Sequence, residues 1–252
     1  MARVAVYKPY LGSGQVYLTD LSVSNGPSYE IGNVSELKLS VDEEVIDEKD
    51  RSRSGGGTWA EVRRINSVTA SFTMHDLNAD NLALATKGTV TIIESGSVTD
   101  EAVTAWAGAL VRLANPAPTS VVVTSDDGNT TYTETTDYEV RNEGLFIVSS
   151  GAIATAAASA SVALKVNYSY GKYHQVEALA GSSTYWGLTF GGMNEADSDK
   201  PCIVDLHKVN IGAASELSLI GDELGTIAVE GKLLKDTSKG SAESAYYRVQ
   251  MV

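Results

Sequence analysis

The acid pairs Glu43-Glu44 and Asp47-Glu48 are the first residues whose types and spacing suggest chemistry. Two neighbouring carboxyl groups can divide the work of general acid and general base, provided that burial pulls their pKa values apart. These four lie in a charged stretch with Lys49, Asp50, Arg51 and Arg53, which offers no such burial. They read instead as a solvated face, or as partners for Arg51, Arg53, Arg63 or Arg64 of a neighbouring copy. The three histidines, His75, His174 and His207, are far apart, and none stands in H-E-x-x-H, the spacing that sets two imidazoles on one helix face for zinc. Asp126-Asp127-Gly128-Asn129 has the residue types of a calcium loop but not the ligand spacing of an EF-hand, and reads as a turn. Gly55-Gly56-Gly57 lacks the lysine of a phosphate-binding loop and reads as a flexible tip. There is no G-x-S-x-G elbow and no G-x-G-x-x-G between a strand and a helix. Trp59, Trp106 and Trp186 are scattered singly, which suits core or interface anchors better than a sugar-stacking platform. These residues predict no catalytic, cofactor-binding or metal-binding site, and a protein that is not an enzyme.

The element that must position the charged stretch is a hairpin. On its incoming side Leu37, Leu39 and Val41 share one face, with Glu36, Lys38, Ser40 and Asp42 on the other. On its outgoing side Val68, Ala70, Phe72 and Met74 alternate with Ser67, Thr69, Ser71 and Thr73. A period of two over this length predicts half-buried strands. Between them, Asp42 to Asn66 holds twelve charged residues, and its tip reads Arg51-Ser52-Arg53-Ser54-Gly55-Gly56-Gly57. Such a tip buries too little apolar surface to order itself, and so long an irregular insertion between paired strands is functional or disordered. The expectation is an arm that finds its order against another surface. Its inter-subunit contact residues would be Asp42, Glu43, Glu44, Asp47, Glu48, Arg51, Arg53, Gly55, Gly56, Gly57, Trp59, Arg63 and Arg64.

Composition narrows the function classes. With 252 residues, 43 % of them hydrophobic, the chain can bury a sizeable core. A net charge of -13 argues against binding nucleic acid by phosphate neutralisation, which needs clustered Lys and Arg. The single cysteine, Cys202, leaves no internal disulfide, fits a reducing compartment and reads as a small buried hydrophobe. Met1-Ala2-Arg3-Val4 runs into short strand-like segments around Lys8 with no resemblance to a signal peptide, and no apolar run reaches membrane-spanning length. The expectation is a soluble protein made in a cytoplasm, without membrane insertion.

After the hairpin, Asn78 is a candidate N-cap, Asp80 falls in the first turn of a helix, Leu82, Ala83, Leu84 and Ala85 give it a buried face, and Gly88 stops it. From Thr91 onward Val121 to Val123, Tyr138 to Val140, Leu145 to Val148 and Val162 to Tyr170 read as strands separated by turns such as Asn142-Glu143-Gly144. The alanine-rich Ser150 to Ser161 shows no apolar stripe and reads as a loop or irregular edge. Cys202 to Lys208, Glu216 to Ile220, Thr226 to Leu234 and the run of Tyr247, Val249 and Met251 are further strands. The fold class is mainly β: an antiparallel sandwich or barrel core of residues 1–95 and 174–252 with one short α-helix, interrupted by an inserted β domain of residues 96–173.

Several runs resemble the major tail tube protein of long, non-contractile-tailed bacteriophages. They are Ile31-Gly32-Asn33-Val34-Ser35-Glu36-Leu37, the arm ending in Gly55-Gly56-Gly57, Val68 to Leu77 followed by Asn81-Leu82-Ala83-Leu84, Ile220-Gly221-Asp222, and Val229-Glu230-Gly231-Lys232-Leu233-Leu234. The middle of the chain, from about Gly96 to Tyr173, resembles in pattern the immunoglobulin-like decoration domain that some of these proteins carry. The resemblance implies a virion protein, assembled in the host bacterial cytoplasm, whose hexameric rings join their sheets into one inner barrel and stack into a hollow tube. The loop reaching the next ring would be Asp42 to Asn66. The implied partners are further copies of the chain, a tape-measure protein, a tail terminator and distal tail or baseplate proteins. Phage DNA would pass through the lumen without specific binding, and no cofactor is implied. A binding module, in which the β-sandwich recognises carbohydrate or another cell-surface ligand, is the alternative reading; an enzyme would need a convergent acid or nucleophile cluster that the sequence does not display.

Overall fold

Alternation of apolar and polar residues dominates this chain, and antiparallel strands follow from it: the computed structural model is 53 % strand and 7 % helix. It describes residues 9–158, 160–181 and 184–252, so the strand-like segments expected from Arg3 to Lys8 lie outside the described residues. In chain order the elements are β1 (Gly12–Asp20), β2 (Ser28–Glu30), β3 (Val34–Lys49), β4 (Thr58–Met74), α1 (Ala79–Thr86) and β5 (Thr89–Ile93). There follow β6 (Gly96–Ala105), β7 (Leu110–Arg112), β8 (Thr119–Ser125), β9 (Tyr138–Arg141), β10 (Gly144–Ile147), α2 (Ala152–Ala157), β11 (Val162–Tyr170) and β12 (Tyr173–Glu177). The chain ends with β13 (Trp186–Asn194), β14 (Lys200–Ile211), β15 (Ile227–Leu233) and β16 (Tyr247–Met251). It divides into two compact units, Met1–Val90 with Val176–Val252, and Thr91–Gln175. The breaks thus fall at Val90/Thr91 and Gln175/Val176, where the sequence put them beside Gly96 and Tyr173.

The first unit is one sheet in the order β2-β1-β13-β14-β15-β4-β3, with β16 also paired to β14. Strand β14 is its pivot. One side of it pairs with β13, while the other serves β16 at Cys202–Leu206 and then β15 at Val209–Ile211. The change of partner coincides with a register shift against β13 next to His207 and Lys208, and such bulges bend a strand. The bent sheet closes round a single core to which β1 gives Val16 and Leu18, β4 gives Val68, Phe72 and Met74, and β15 gives Ile227, Val229 and Leu233. Cys202 is buried, as its residue type suggested. Helix α1 has the expected cap, Asn78 accepting from the Asn81 amide at 2.8 Å. Its left-handed C-terminal residue is Lys87 and not a glycine, with the Gly88 amide bonding back to Ala83. The buried face consists of Asn81, Ala83 and Ala85, while Leu82 and Leu84 pack half-buried at its margins.

Two sequence expectations fail here. Glu216 to Ile220 forms no strand: it lies between β14 and β15 without a partner strand, leaving Leu219 80 % and Ile220 96 % exposed. Along β3, Leu39 and Val41 point to the core side, opposite buried Ala70 and Val68, yet are themselves exposed. The reason is that β3 lies at the end of the sheet, where no strand covers that flank among the described residues.

The second unit is two three-stranded sheets, β7-β10-β9 and β6-β11-β8, round a core of its own that includes Val123, Leu145, Ile147, Leu164 and Val166. Taking β7 to β11 as strands B to F, these are the B-E-D and C-F neighbours of an immunoglobulin sandwich, with β6 beside F where strand G would lie. Asp126 to Asn129 is the turn the sequence suggested. The Ser125 hydroxyl and the Asn129 amide hold the Asp127 carboxyl down to about 2. The alanine-rich segment, expected as a loop, contains α2. Its cap is remote in sequence: buried Asp137 accepts from the Ala152 amide at 2.6 Å and from Thr133 N at 2.8 Å. Ile153, Ala154 and Ala157 face the interior, a stripe that alanine on the other face hides from a hydropathy pattern.

Replacing Asp137 by alanine would remove the acceptor of two part-buried backbone N–H groups. We predict a loss of about 3 kcal/mol in urea unfolding, with Asp137→Asn recovering part of it. An unchanged midpoint in Asp137→Ala would show that the cap does not hold α2.

Candidate assembly interface

The charged stretch is not an irregular loop. Strand β3 runs for sixteen residues and β4 for seventeen, and their ladder continues through the arm: Glu44 faces Arg64, Val45 faces Arg63, Ile46 faces Val62 and Asp47 faces Glu61. Only Asp50 to Gly57 lies outside the strands. The correction has a physical cause. Val45, Ile46, Val62 and Ile65 have high strand propensity, and opposite charges meet along and across the ladder. Arg63 Nε lies 2.7 Å from Glu61, its other guanidinium nitrogen 3.7 Å from Glu43, and Asn66 donates to Asp42 at 2.6 Å. These carboxylates, Glu61 above all, raise the Arg63 pKa.

The tip is a defined turn. Asp50 Oδ1 accepts from the Ser52 amide at 2.8 Å and from its hydroxyl, which lowers the Asp50 pKa, and the Asp50 amide donates to Gly57 O at 2.7 Å. Gly55, Gly56 and Gly57 have φ of 112°, 64° and 143°, and nothing lies within 4 Å of where their Cβ atoms would be. Glycine is required there by the backbone conformation and not by lack of room, a more definite role than flexibility.

Among the described residues no further strand flanks the arm. Strand β15 covers β4 only from Thr69 to Met74, so among the described residues β3 and β4 pair only with each other from Val68 outward. From Asp42 to Lys49 this ribbon extends about 26 Å. Val45, Ile46, Val62 and Ile65 are each about half exposed and Trp59 is 73 % exposed. An isolated two-stranded ribbon is marginal in water, and covering these five side chains would contribute about 5 kcal/mol per arm. The outer edge of β3 pairs with no strand among the described residues, which leaves a row of backbone donors and acceptors open to a further strand. Along the same flank a cleft of about 410 Å³ opens between Leu37 and Leu39 of β3 and Val16, Phe190 and Val204 of β1, β13 and β14. Edge and arm thus stay uncovered among the described residues.

The other residues singled out by type do not converge. His75 is hydrogen-bonded to Ser35 at 2.8 Å, His174 is exposed on β12, and the His207 pKa is lowered, first by burial and then by Lys239. Among the described residues no group of His, Cys, Asp and Glu could hold a metal ion, and no helix is long and apolar enough to cross a membrane. Trp186 packs against the core of the first unit, while Trp59 on the arm and Trp106 after β6 are exposed. Sequence reasoning missed Asn81, whose buried Nδ2 donates to Ile31 O at 3.0 Å and Asp76 O at 2.7 Å and so ties α1 to the start of β3. Gly32, at φ 82°, lets Asp76 approach and accept from the Asn33 amide at 2.7 Å. The only signal for this cluster was the polar residue at a helix position otherwise flanked by Leu and Ala.

The family model described as a protein of unknown function, UCP028589, matches residues 9–250, and no curated protein matches the chain.

Because no described strand beyond β3 and β4 themselves covers the arm, its apolar residues contribute little to folding. The double variant Ile46→Ser, Val62→Ser is expected to unfold within about 0.5 kcal/mol of the parent in urea. A much larger loss would mean that the ribbon is part of the folding core.

Proposed function

The chain belongs to that family of unknown function, and we propose that it is a structural virion protein: the tail tube subunit of a long, non-contractile-tailed bacteriophage, polymerising as stacked hexameric rings into a hollow conduit for DNA. The observation that carries this reading is the β3–β4 arm, a ribbon with apolar side chains uncovered on both faces and a bare sixteen-residue edge. Pairing that edge with a strand of the next copy satisfies its backbone groups and joins sheets into a common wall. A head-to-tail contact repeated by rotation closes a ring, and one repeated along an axis without closing builds a filament. The arm, reaching beyond its own sheet, suits the second kind of contact.

Two further features support the reading. The net charge of -13 would keep DNA from adhering to a bore lined by these acids. The second unit has its own core, and β5 and β12, the strands at its two ends, pair with each other. Such a unit is suited to insertion into an existing loop and to a decorative place on the tube. Tape-measure, terminator and distal tail proteins are the partners such a subunit needs. The alternative, a carbohydrate-binding module, has Trp106 in its favour, 53 % exposed, but a lone indole makes a poor stacking platform.

Deleting Arg51 to Gly57, with a two-residue turn in their place, is expected to leave circular dichroism and melting unchanged and to abolish polymers in sedimentation velocity. Normal tubes from the deletion would refute the role given to the arm.

A further inference from the structure

An arm that joins copies needs a receptor, and the first unit carries a cleft whose chemistry complements the tip. Beside α1 lies a cavity of about 650 Å³ with an apolar floor that includes Leu18, Ile31, Leu84, Trp186 and Ile211. Glu30 and Asp80 stand at its rim, and an adjoining depression that shares Glu30 adds Asp76. Against these three carboxylates the lining has one ammonium, Lys87. In the wall, Asn210 Oδ1 is buried without a hydrogen-bond partner among the described residues. A buried acceptor left in that state calls for a donor. The cleft is rich in negative charge and short of cations.

The arm tip has the opposite balance. At its end Lys49, Arg51 and Arg53 outnumber Glu48 and Asp50, and the Asp50 carboxylate is already turned onto Ser52. Arg51 is paired only with Glu48 at the surface, and Arg53 has no partner among the described residues. Trp59, at 73 % exposure, supplies a large apolar body beside them. The base of the arm, with Asp42, Glu43, Glu44 and Asp47, is acidic, so the cationic end is confined to the tip. From Arg51 to Gly57 every residue of this tip is exposed, and nothing lies near the glycine positions.

We propose that the cleft beside α1 receives the arm tip of a second copy of this chain, a contact that rests on the assembly reading above. Arg51 and Arg53 meet Glu30, Asp76 and Asp80, where a guanidinium fork can engage carboxylates two bonds at a time. Trp59 covers the apolar floor next to Trp186. The contact is heterologous, tip into cleft, so each copy that binds offers a fresh tip or a fresh cleft to the next. Glu30, on the short β2, and Asp80, at the start of α1, are held in place by Asn81 and its bonds to Ile31 and Asp76.

Charge exchange tests the contact. Arg51→Glu with Arg53→Glu, and separately Glu30→Arg with Asp80→Arg, should each raise the protein concentration needed for polymerisation by more than about tenfold, because like charges then face each other. The variant carrying all four changes should recover polymerisation to within about threefold of the parent, with melting temperature and circular dichroism checking the fold of each protein. If the tip reversal blocks assembly but the cleft reversal does not, or if the fourfold variant is no better than either pair, the cleft is not the receptor while the arm keeps its role. A parent protein that never polymerises, even on growing ends, would instead remove the assembly reading itself. A second readout covers a variant that fails to fold: in a Cys202→Ser background, Ser52→Cys protein mixed with Lys87→Cys protein should form a disulfide-linked pair. Its absence under oxidation, with both proteins folded, would overturn the proposal.

Discussion

A backbone edge that finds no partner strand among the described residues governs the form of this protein. Strand β3 is sixteen residues long, and its outer N–H and C=O groups meet no strand among the described residues. Most native sheets blunt such an edge with proline, inward-pointing charge or a covering loop. Here the edge continues outward as one side of a ribbon whose partner, β4, loses its own second neighbour beyond Thr69. The remainder of the first unit can be understood as support for that exposed edge: a bent sheet with a single core, and a short capped helix tied by Asn81 to the point where β3 begins.

The energetics separate folding from assembly. The core of the first unit lies where β4 is flanked by β15, and its members are nearly all fully buried. The arm's apolar side chains remain half exposed or more, so their hydrophobic contribution is available only when another surface arrives. Because the arm is already paired along β3 and β4 and its tip already turned by Asp50 and Ser52, little conformational entropy is left to lose on docking. That differs from an arm that orders only on contact, and in the proposed assembly it would favour addition by collision of preformed surfaces.

Much of the fold could be read from the sequence because period-two alternation is a direct consequence of strand geometry: β4, β11 and β15 bury the residues the pattern assigns to the core. What escaped the sequence depended on remote partners. Helix α2 is capped by Asp137 from another segment, and its alanines mask the buried side. Glu216 to Ile220 has a strand's composition but pairs with no strand among the described residues. The charged arm was legible as a special element but not as regular structure, since its charges concealed the β-branched pairs that hold it in register. The cleft beside α1 was hidden altogether, because Glu30, Asp76 and Asp80 come together only through the fold.

The account stands on polymerisation through this surface, and negative-stain electron microscopy of the purified protein across a concentration series, with and without growing tail ends, tests it most directly. The account predicts rings or hollow tubes that appear as concentration rises and lengthen from added ends. Particles that stay monomeric at every concentration and on every end would contradict it.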